Sequence, residues 1–321
     1  MKWIKKGQIF DPTQHKLADN CTEFAQSPQT LLFDDFVRIY FSTRQKDDAT
    51  GKFLSHISFV DFDKRFEKII SIADKTVIEL GELGTFDEHG IFPINILRHQ
   101  EKIYAYTCGW SRRVSVSVET GTGLAFSDDE GLTFKKAGHG PVLTSSLKEP
   151  MLVGDSFVQV YNGKFHMWYI FANKWIAANE NEPPARVYKI AHASSDDGIV
   201  WIKEEDGKQI IADSLHENEC QALPTVVKIG NRYHMYFCYR EATDFRKNPA
   251  RGYRLGYAWS DDLLSWIRDD ENSGTGFSAS GWDSEMMCYP HIFECDNKVY
   301  LLYNGNEFGR YGFGLAELEQ A

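Results

Sequence analysis

Apolar and polar residues alternate with a period of two in five short runs, at residues 37–41, 102–106, 164–168, 232–236 and 298–302. Arg232-Tyr233-His234-Met235-Tyr236 is typical, with Tyr233 and Met235 on one face and Arg232 and His234 on the other. Such alternation predicts a strand with one face buried. The run starts lie 62 to 68 residues apart, and a recurring period marks a repeat architecture rather than a chain of unrelated domains. Shortly before each run an X-Pro step opens another β-rich segment: Ser27-Pro28, Phe92-Pro93, Leu223-Pro224 and Tyr289-Pro290, with Asp155-Ser156 in the third copy. Proline is tolerated at a strand start, where the first amide need not join the ladder. After each run a third segment rich in small and aromatic residues follows, at 54–60, 123–127, 189–194, 255–260 and 312–318.

A fourth strand is predicted behind a hairpin with its own signature. Residues 127–134 and 194–201 read Ser-x-Asp-x-Gly-x-x-(Phe/Trp), and residues 260–266 form a version one residue shorter. These segments resemble the Asp box of sialidases and related propellers. Asp accepting from local amides and Gly at positive φ suit a tight turn, so these carboxylates are expected to be structural staples. Trp201-Ile202-Lys203 and Trp266-Ile267-Arg268 read as outer strands, while the fifth copy ends at Ala321 without one. Trp3-Ile4-Lys5 supplies the missing phrase. The expectation is an all-β, five-bladed β-propeller of four-stranded antiparallel blades, with residues 1–6 as the outer strand of the last blade and no unpaired sheet edge at the junction. The blades are placed at 22–80, 81–143, 149–213, 214–277 and 281–321 of a single domain spanning 1–321, with 179–186 as a surface loop of the third.

Composition narrows the partners. The net charge of −11 lacks the basic footprint that phosphate backbones require, which excludes nucleic acid as the expected partner. No apolar stretch approaches the ~18 residues of a membrane span, and Met1-Lys2-Trp3-Ile4-Lys5-Lys6 is followed by no apolar leader segment. No membrane association and a cytoplasmic location are expected. The six cysteines show no Cys-x-x-Cys or other metal spacing, so they read as buried, reduced thiols and no metal is assigned.

The inner strand of each propeller blade starts near the central channel, so residues ahead of the X-Pro steps should converge. Counting back five from the prolines gives Glu23, Glu88, Glu219 and Glu285, while the third copy has Met151 there, compensated by Asp155 with Glu149 nearby. Like charges brought together raise one another's pKa. Catalysis at a glycosidic bond uses such an arrangement, one carboxyl protonated and another ionised. A structural Ca²⁺ in the channel, or plain solvation at loop ends, are the alternatives; no other cofactor is expected.

The five-blade plan, the acids at the strand openings and the run Glu219-Cys220-Gln221-Ala222-Leu223-Pro224 resemble the five-bladed glycoside hydrolases of families 32, 43 and 68. The Glu-Cys pair is similar to the family-32 Glu-Cys-Pro motif, which implies Glu219 as acid/base. Gly154-Asp155-Ser156 stands where that family has Arg-Asp-Pro, and Phe86-Asp87-Glu88-His89-Gly90 is the nearest counterpart of its nucleophile motif. The resemblance thus implies Glu219, Asp155, Asp87 and Glu88 as the catalytic set and a carbohydrate as substrate; the departures from both motifs argue against fructosides.

The residues after each second strand should turn back to the same mouth and line the substrate site. They include Arg44, Trp110 with Arg112, Trp175, Arg240 and Asn304. An aromatic platform suits the C–H face of a sugar, and Trp110 is better placed than Trp175 for that role. Arginines pair bidentately with carboxylates and hint at an acidic sugar. Glu23, Glu285 and His89, a neighbour of the acids, complete the expected binding set. The function expected is cleavage of a glycosidic bond by a hydrolase, with phosphorolysis or transfer on the same fold, or glycan binding without catalysis, as alternatives.

Overall fold

The computed structural model describes residues 1–179 and 183–319. It is all-β, with only short 3-10 turns between the strands. Three antiparallel sheets have four strands each. Val153–Tyr161, Lys164–Ile176, Ala185–Ser195 and Ile202–Lys203 form one, and Glu219–Ile229, Arg232–Glu241, Arg254–Ser260 and Ile267–Arg268 form the next. In the third, Cys288–Cys295, Lys298–Asn304 and Phe313–Leu318 are completed by Trp3–Phe10 from the other end of the chain. The remaining eight strands form two similar antiparallel sets, joined by a single parallel bridge between Ser55 and Gly90. These sets start at Glu23–Leu32 and Gly90–His99.

The N-terminal strand runs antiparallel to Phe313–Leu318, from Trp3 opposite Leu318 to Phe10 opposite Phe313. Its length exceeds the expected 1–6 because Phe10 continues into the core beside Phe41, ring centroids 5.2 Å apart. At the other end the Trp3 indole nitrogen donates to the Tyr236 hydroxyl at 2.8 Å and to the Ser273 carbonyl. One strand therefore fastens three neighbouring sheets.

The inner strands touch one another in cyclic order, and hydrogen bonds cross each junction. Asn95 donates to Gln29 and accepts from the Val158 amide, the Tyr161 hydroxyl reaches the Val226 carbonyl, Thr225 accepts from the Ile292 amide, and His291 faces Thr30. Apolar side chains fill the space between the faces of successive sheets. Val153, Val158 and Met167 pack with Tyr106 and Leu124 on one side, while Trp168 packs with Val226 and Met235 on the other. Alternation along the strands sends successive side chains to opposite faces, which is why Met167 and Trp168 belong to different cores.

The predicted staples are present, one residue out of register in the second. Asp129 accepts from the Thr133 amide and hydroxyl, Asp197 from the amides of Ile199 and Val200, and Asp262 from those of Leu264 and Ser265. The aligned motif is Ser127-x-Asp129, Ser195-x-Asp197 and Ser260-x-Asp262, so Asp197 and not Asp196 makes the turn. Amide donors hold the Asp262 carboxyl down at about 2. All six cysteines are free and buried.

Candidate active site

Each inner strand is interrupted at the X-Pro step. Strand register breaks between Gln26 and Gln29, Ile91 and Ile94, Gly154 and Phe157, Ala222 and Thr225, and Cys288 and His291. The X residue of four of these bulges has positive φ: Ser27 at 54°, Asp155 at 50°, Leu223 at 51° and Tyr289 at 55°. A bulge leaves a residue out of the ladder and re-aims its side chain. Here it aims them at the axis.

Asp155, Phe92, Leu223 and Tyr289, all bulge residues, line a central cavity of about 380 Å³, a volume that fits a small ligand. Asp155 is the cavity's one carboxylate among the described residues. Burial pushes it up to about 7, opposed by the nearby Arg186 charge and by a hydrogen bond with the Cys108 thiol. A non-glycine residue held at positive φ and carrying the sole acid of a cavity is the kind of strained position that marks a functional site.

The cations outnumber that acid. Arg44, Arg186, Arg240 and Arg246 are on the wall. Arg240 is buried, its guanidinium donating to the Tyr188 hydroxyl at 2.7 Å and to the carbonyls of Glu241 and Ala242, while its Nε has no partner among the described residues. Burial lowers Arg44 to about 10, and burial followed by the like charge of Arg240 lowers Arg246. No ion pair with a carboxylate is formed by Arg44, Arg186, Arg240 or Arg246 among the described residues. An excess of desolvated cations around a cavity creates a demand for a bound anion.

Of the expected site residues, Asp155, Arg44, Trp110 and Arg240 meet on this wall. The ring of glutamates does not form. Glu219 is wholly buried, paired with Arg268 at 2.5 Å and accepting from the amides of Ser214 and Leu215. Despite burial, Arg268 and these donors hold its pKa below the usual range, and it does not line the cavity. Glu23 pairs with Arg310 at 2.8 Å, Glu88 accepts from the Gly84 amide at 3.0 Å, and Glu285 is exposed. Asp87 is buried against Lys136 at 2.5 Å and Thr85, where it braces a loop. None of Glu23, Glu88, Glu219 and Glu285 lines the cavity, because the bulge residues and not the residues four positions before them leave the ladder for the axis. Among the described residues there is no group of three or more His, Cys, Asp or Glu side chains that could hold a metal ion.

His89 and Arg112 stand behind the cavity and support Trp110. The His89 ring stacks on Trp110 with centroids 5.8 Å apart, and Arg112 lies 5.4 Å from the same ring while donating to the Phe53 carbonyl. Burial and Arg112 lower the His89 pKa, so the ring is neutral at pH 7. Asn304 is a latch: it donates to the Ala25 and Gly312 carbonyls and accepts from the Ser27 amide at 2.8 Å, tying the last sheet to the first bulge. Trp175 faces an adjoining depression shared with Arg186 and Arg246. Those two arginines were not foreseen; Arg186 ends the polar excursion expected at 179–186, of which 180–182 lie outside the described residues.

No family model matches the chain. Over 320 residues, 99% of this chain and 100% of the other, it is 31% identical to the uncharacterized protein Rv1502 of Mycobacterium tuberculosis. The chain belongs to the Rv1502 family. It is also similar to a beta-1,2-mannobiose phosphorylase of a Thermoanaerobacter species, 30% identical over 111 residues that cover 33% of this chain and 35% of that protein. Among solved structures, a β-1,2-mannobiose phosphorylase from Listeria innocua superposes with a TM-score of 0.68 at 11% identity, covering 99% of this chain and 96% of that one. A thermostable family-43 glycoside hydrolase gives 0.65 at 12%, covering 95% and 94%. The Rv1502-family chain thus has the propeller fold seen in these solved structures.

Proposed function

We propose that the protein is a single-domain, five-bladed propeller enzyme that cleaves a glycosidic bond by phosphorolysis, with Asp155 as proton donor. The observation that carries this reading is the lone Asp155 carboxyl, raised to about 7, on a cavity wall with four arginines. A hydrolase of the expected kind needs a second carboxylate as base or nucleophile, and Glu219, Asp87 and Glu88 are engaged elsewhere. Inorganic phosphate needs no base, and arginines are suited to hold it. The similarity to a mannobiose phosphorylase agrees with this choice.

The chemistry follows from the charges. A phosphate oxygen, oriented by the arginines, attacks the anomeric carbon as the bond to the leaving oxygen breaks. The electron pair goes to that oxygen, and neutral Asp155 supplies its proton. A pKa near the operating pH lets one group be protonated yet still a competent acid. The products are a glycosyl phosphate and a sugar with a free hydroxyl, and the Asp155 carboxylate recovers its proton from solvent. A single displacement inverts the anomeric centre. Trp110, braced by His89 and Arg112, offers a ring face at the wall for a sugar C–H surface. Six unpaired cysteines favour a reducing, cytoplasmic setting, and no described helix is long and apolar enough to cross a membrane.

The test is phosphorus NMR of the protein with mannose-, glucose- and galactose-based disaccharides and inorganic phosphate. A glycosyl phosphate signal that requires Asp155 supports the reading. Reducing sugar released at the same rate without phosphate contradicts it, and glycan binding with no turnover turns the reading toward a binding protein.

A further inference from the structure

The polar groups of the central cavity are unevenly available. Ser55 accepts the Trp110 indole N–H at 3.0 Å, Thr120 donates to the Val153 carbonyl at 2.8 Å, and the Tyr188 and Tyr253 hydroxyls bond one another at 2.6 Å. Gln26 donates its amide to the Phe308 carbonyl, leaving its Oε1 buried and unpartnered. Ser55, Thr120, Tyr188, Tyr253 and the Gln26 amide nitrogen thus each spend part of their hydrogen-bonding capacity on protein.

The same cavity carries a chain of aromatic rings, with the Arg240 guanidinium 3.5 Å from the centroid of the Phe245 ring and that of Arg44 5.1 Å from the Phe92 centroid. Phe92 meets Tyr289 edge-on at 5.4 Å, Tyr289 meets Tyr253 at 5.6 Å, Tyr253 meets Phe245 at 6.3 Å, and Phe245 meets Phe308 at 6.0 Å. Leu223 adds an aliphatic surface at the bulge position where its counterpart Asp155 carries the acid. A hydroxyl pressed against the Leu223 side chain loses its water without gaining a partner, whereas a methyl group gains contact.

We propose that the sugar unit accommodated in the cavity is hydroxyl-poor and carries a methyl group on the side that meets Leu223 and Phe92. A 6-deoxyhexose and an N-acetylated hexosamine both supply that chemistry. The inference rests on the reading of the cavity as a glycan site but not on phosphate as nucleophile.

Binding of matched methyl glycosides to the full chain, measured by calorimetry without phosphate, tests it. The pairs are D-fucoside against D-galactoside, D-rhamnoside against D-mannoside, and N-acetylglucosaminide against glucoside. The methyl-bearing member of at least one pair is expected to bind about 10- to 100-fold more tightly, the range a single apolar contact provides. The first two pairs report a deoxy sugar and the third an acetamido sugar. Leu223→Asn is the second arm: asparagine tolerates the positive φ of this position and places an amide at the wall, so it should shift the preference toward the hydroxyl-bearing member. Equal or reversed affinity in all three pairs, absence of binding by all six, or an unchanged preference in Leu223→Asn overturns the proposal. Preferential methyl-sugar binding without any phosphorolysis would leave it standing and would sink phosphorolysis alone.

Discussion

Glu219 and Arg268 lie 2.5 Å apart, with the arginine reaching from the outer strand of the sheet across the ring faces of Phe237 and Tyr239 at 5.1 and 4.4 Å. Removing one member of a buried pair leaves an uncompensated charge at a cost of about 3–5 kcal/mol. Glu219→Gln should therefore lower the melting temperature clearly while folded protein keeps its turnover. Because Glu219 has a depressed pKa, its stabilisation is present above the unfolded carboxylate range and is lost as pH falls through the folded value, so the difference between wild type and variant should shrink in acid. Abolished turnover in a well-folded variant would restore Glu219 as the acid.

Asp155→Asn should reduce kcat by about 10²- to 10⁴-fold, the usual contribution of a proton donor, with glycan binding retained. Wild-type kcat/KM should fall as pH rises through about 7, the value to which burial raises Asp155. The sign for stability is the reverse of that for Glu219. A raised carboxylate favours the fold below its unfolded pKa and loses that advantage as pH rises through 7, so Asp155→Asn should be more stable than wild type at pH 8, by up to ~4 kcal/mol. Thermal melts at pH 4 and pH 8 measure the difference.

Arg240→Lys keeps the charge but loses the planar fork. The KM for phosphate should rise at least about tenfold, roughly 1.4 kcal/mol, while kcat at saturating phosphate changes less. A fall in kcat with an unaltered phosphate KM would place the anion elsewhere.

Trp3→Ala removes a buried indole and its bonds to Tyr236 and Ser273. The expected loss is about 3–5 kcal/mol, read by urea unfolding with a single cooperative transition. An unchanged midpoint would mean that the N-terminal strand does not secure the junction.

Much of the fold is written in the chain as a period. The aromatic runs, the X-Pro steps and the phrase Trp3-Ile4-Lys5 repeat at a spacing that only stacked sheets explain, and the pairing of Trp3 with Leu318 follows from it. The site was less legible because its decisive event is local backbone geometry. Glu219 and Leu223 stand in the same inner strand, yet one faces Arg268 and the other the axis, and alternation cannot register a bulge between them. The X-Pro step carried the missing signal: it marked the departure from the ladder, and Asp155 was the one charged residue at that step. Arg186 and Arg246 escaped notice because an arginine at a strand end or in a turn has no pattern until the fold brings it beside a cavity.

The most direct measurement is a pH titration of the protein labelled with carboxyl-carbon-13 aspartate, comparing wild type with Asp155→Asn. One resonance, absent from the variant, should titrate with a midpoint near 7. If the resonance missing from the variant titrates near 4 instead, Asp155 is ionised at neutral pH and cannot be the proton donor.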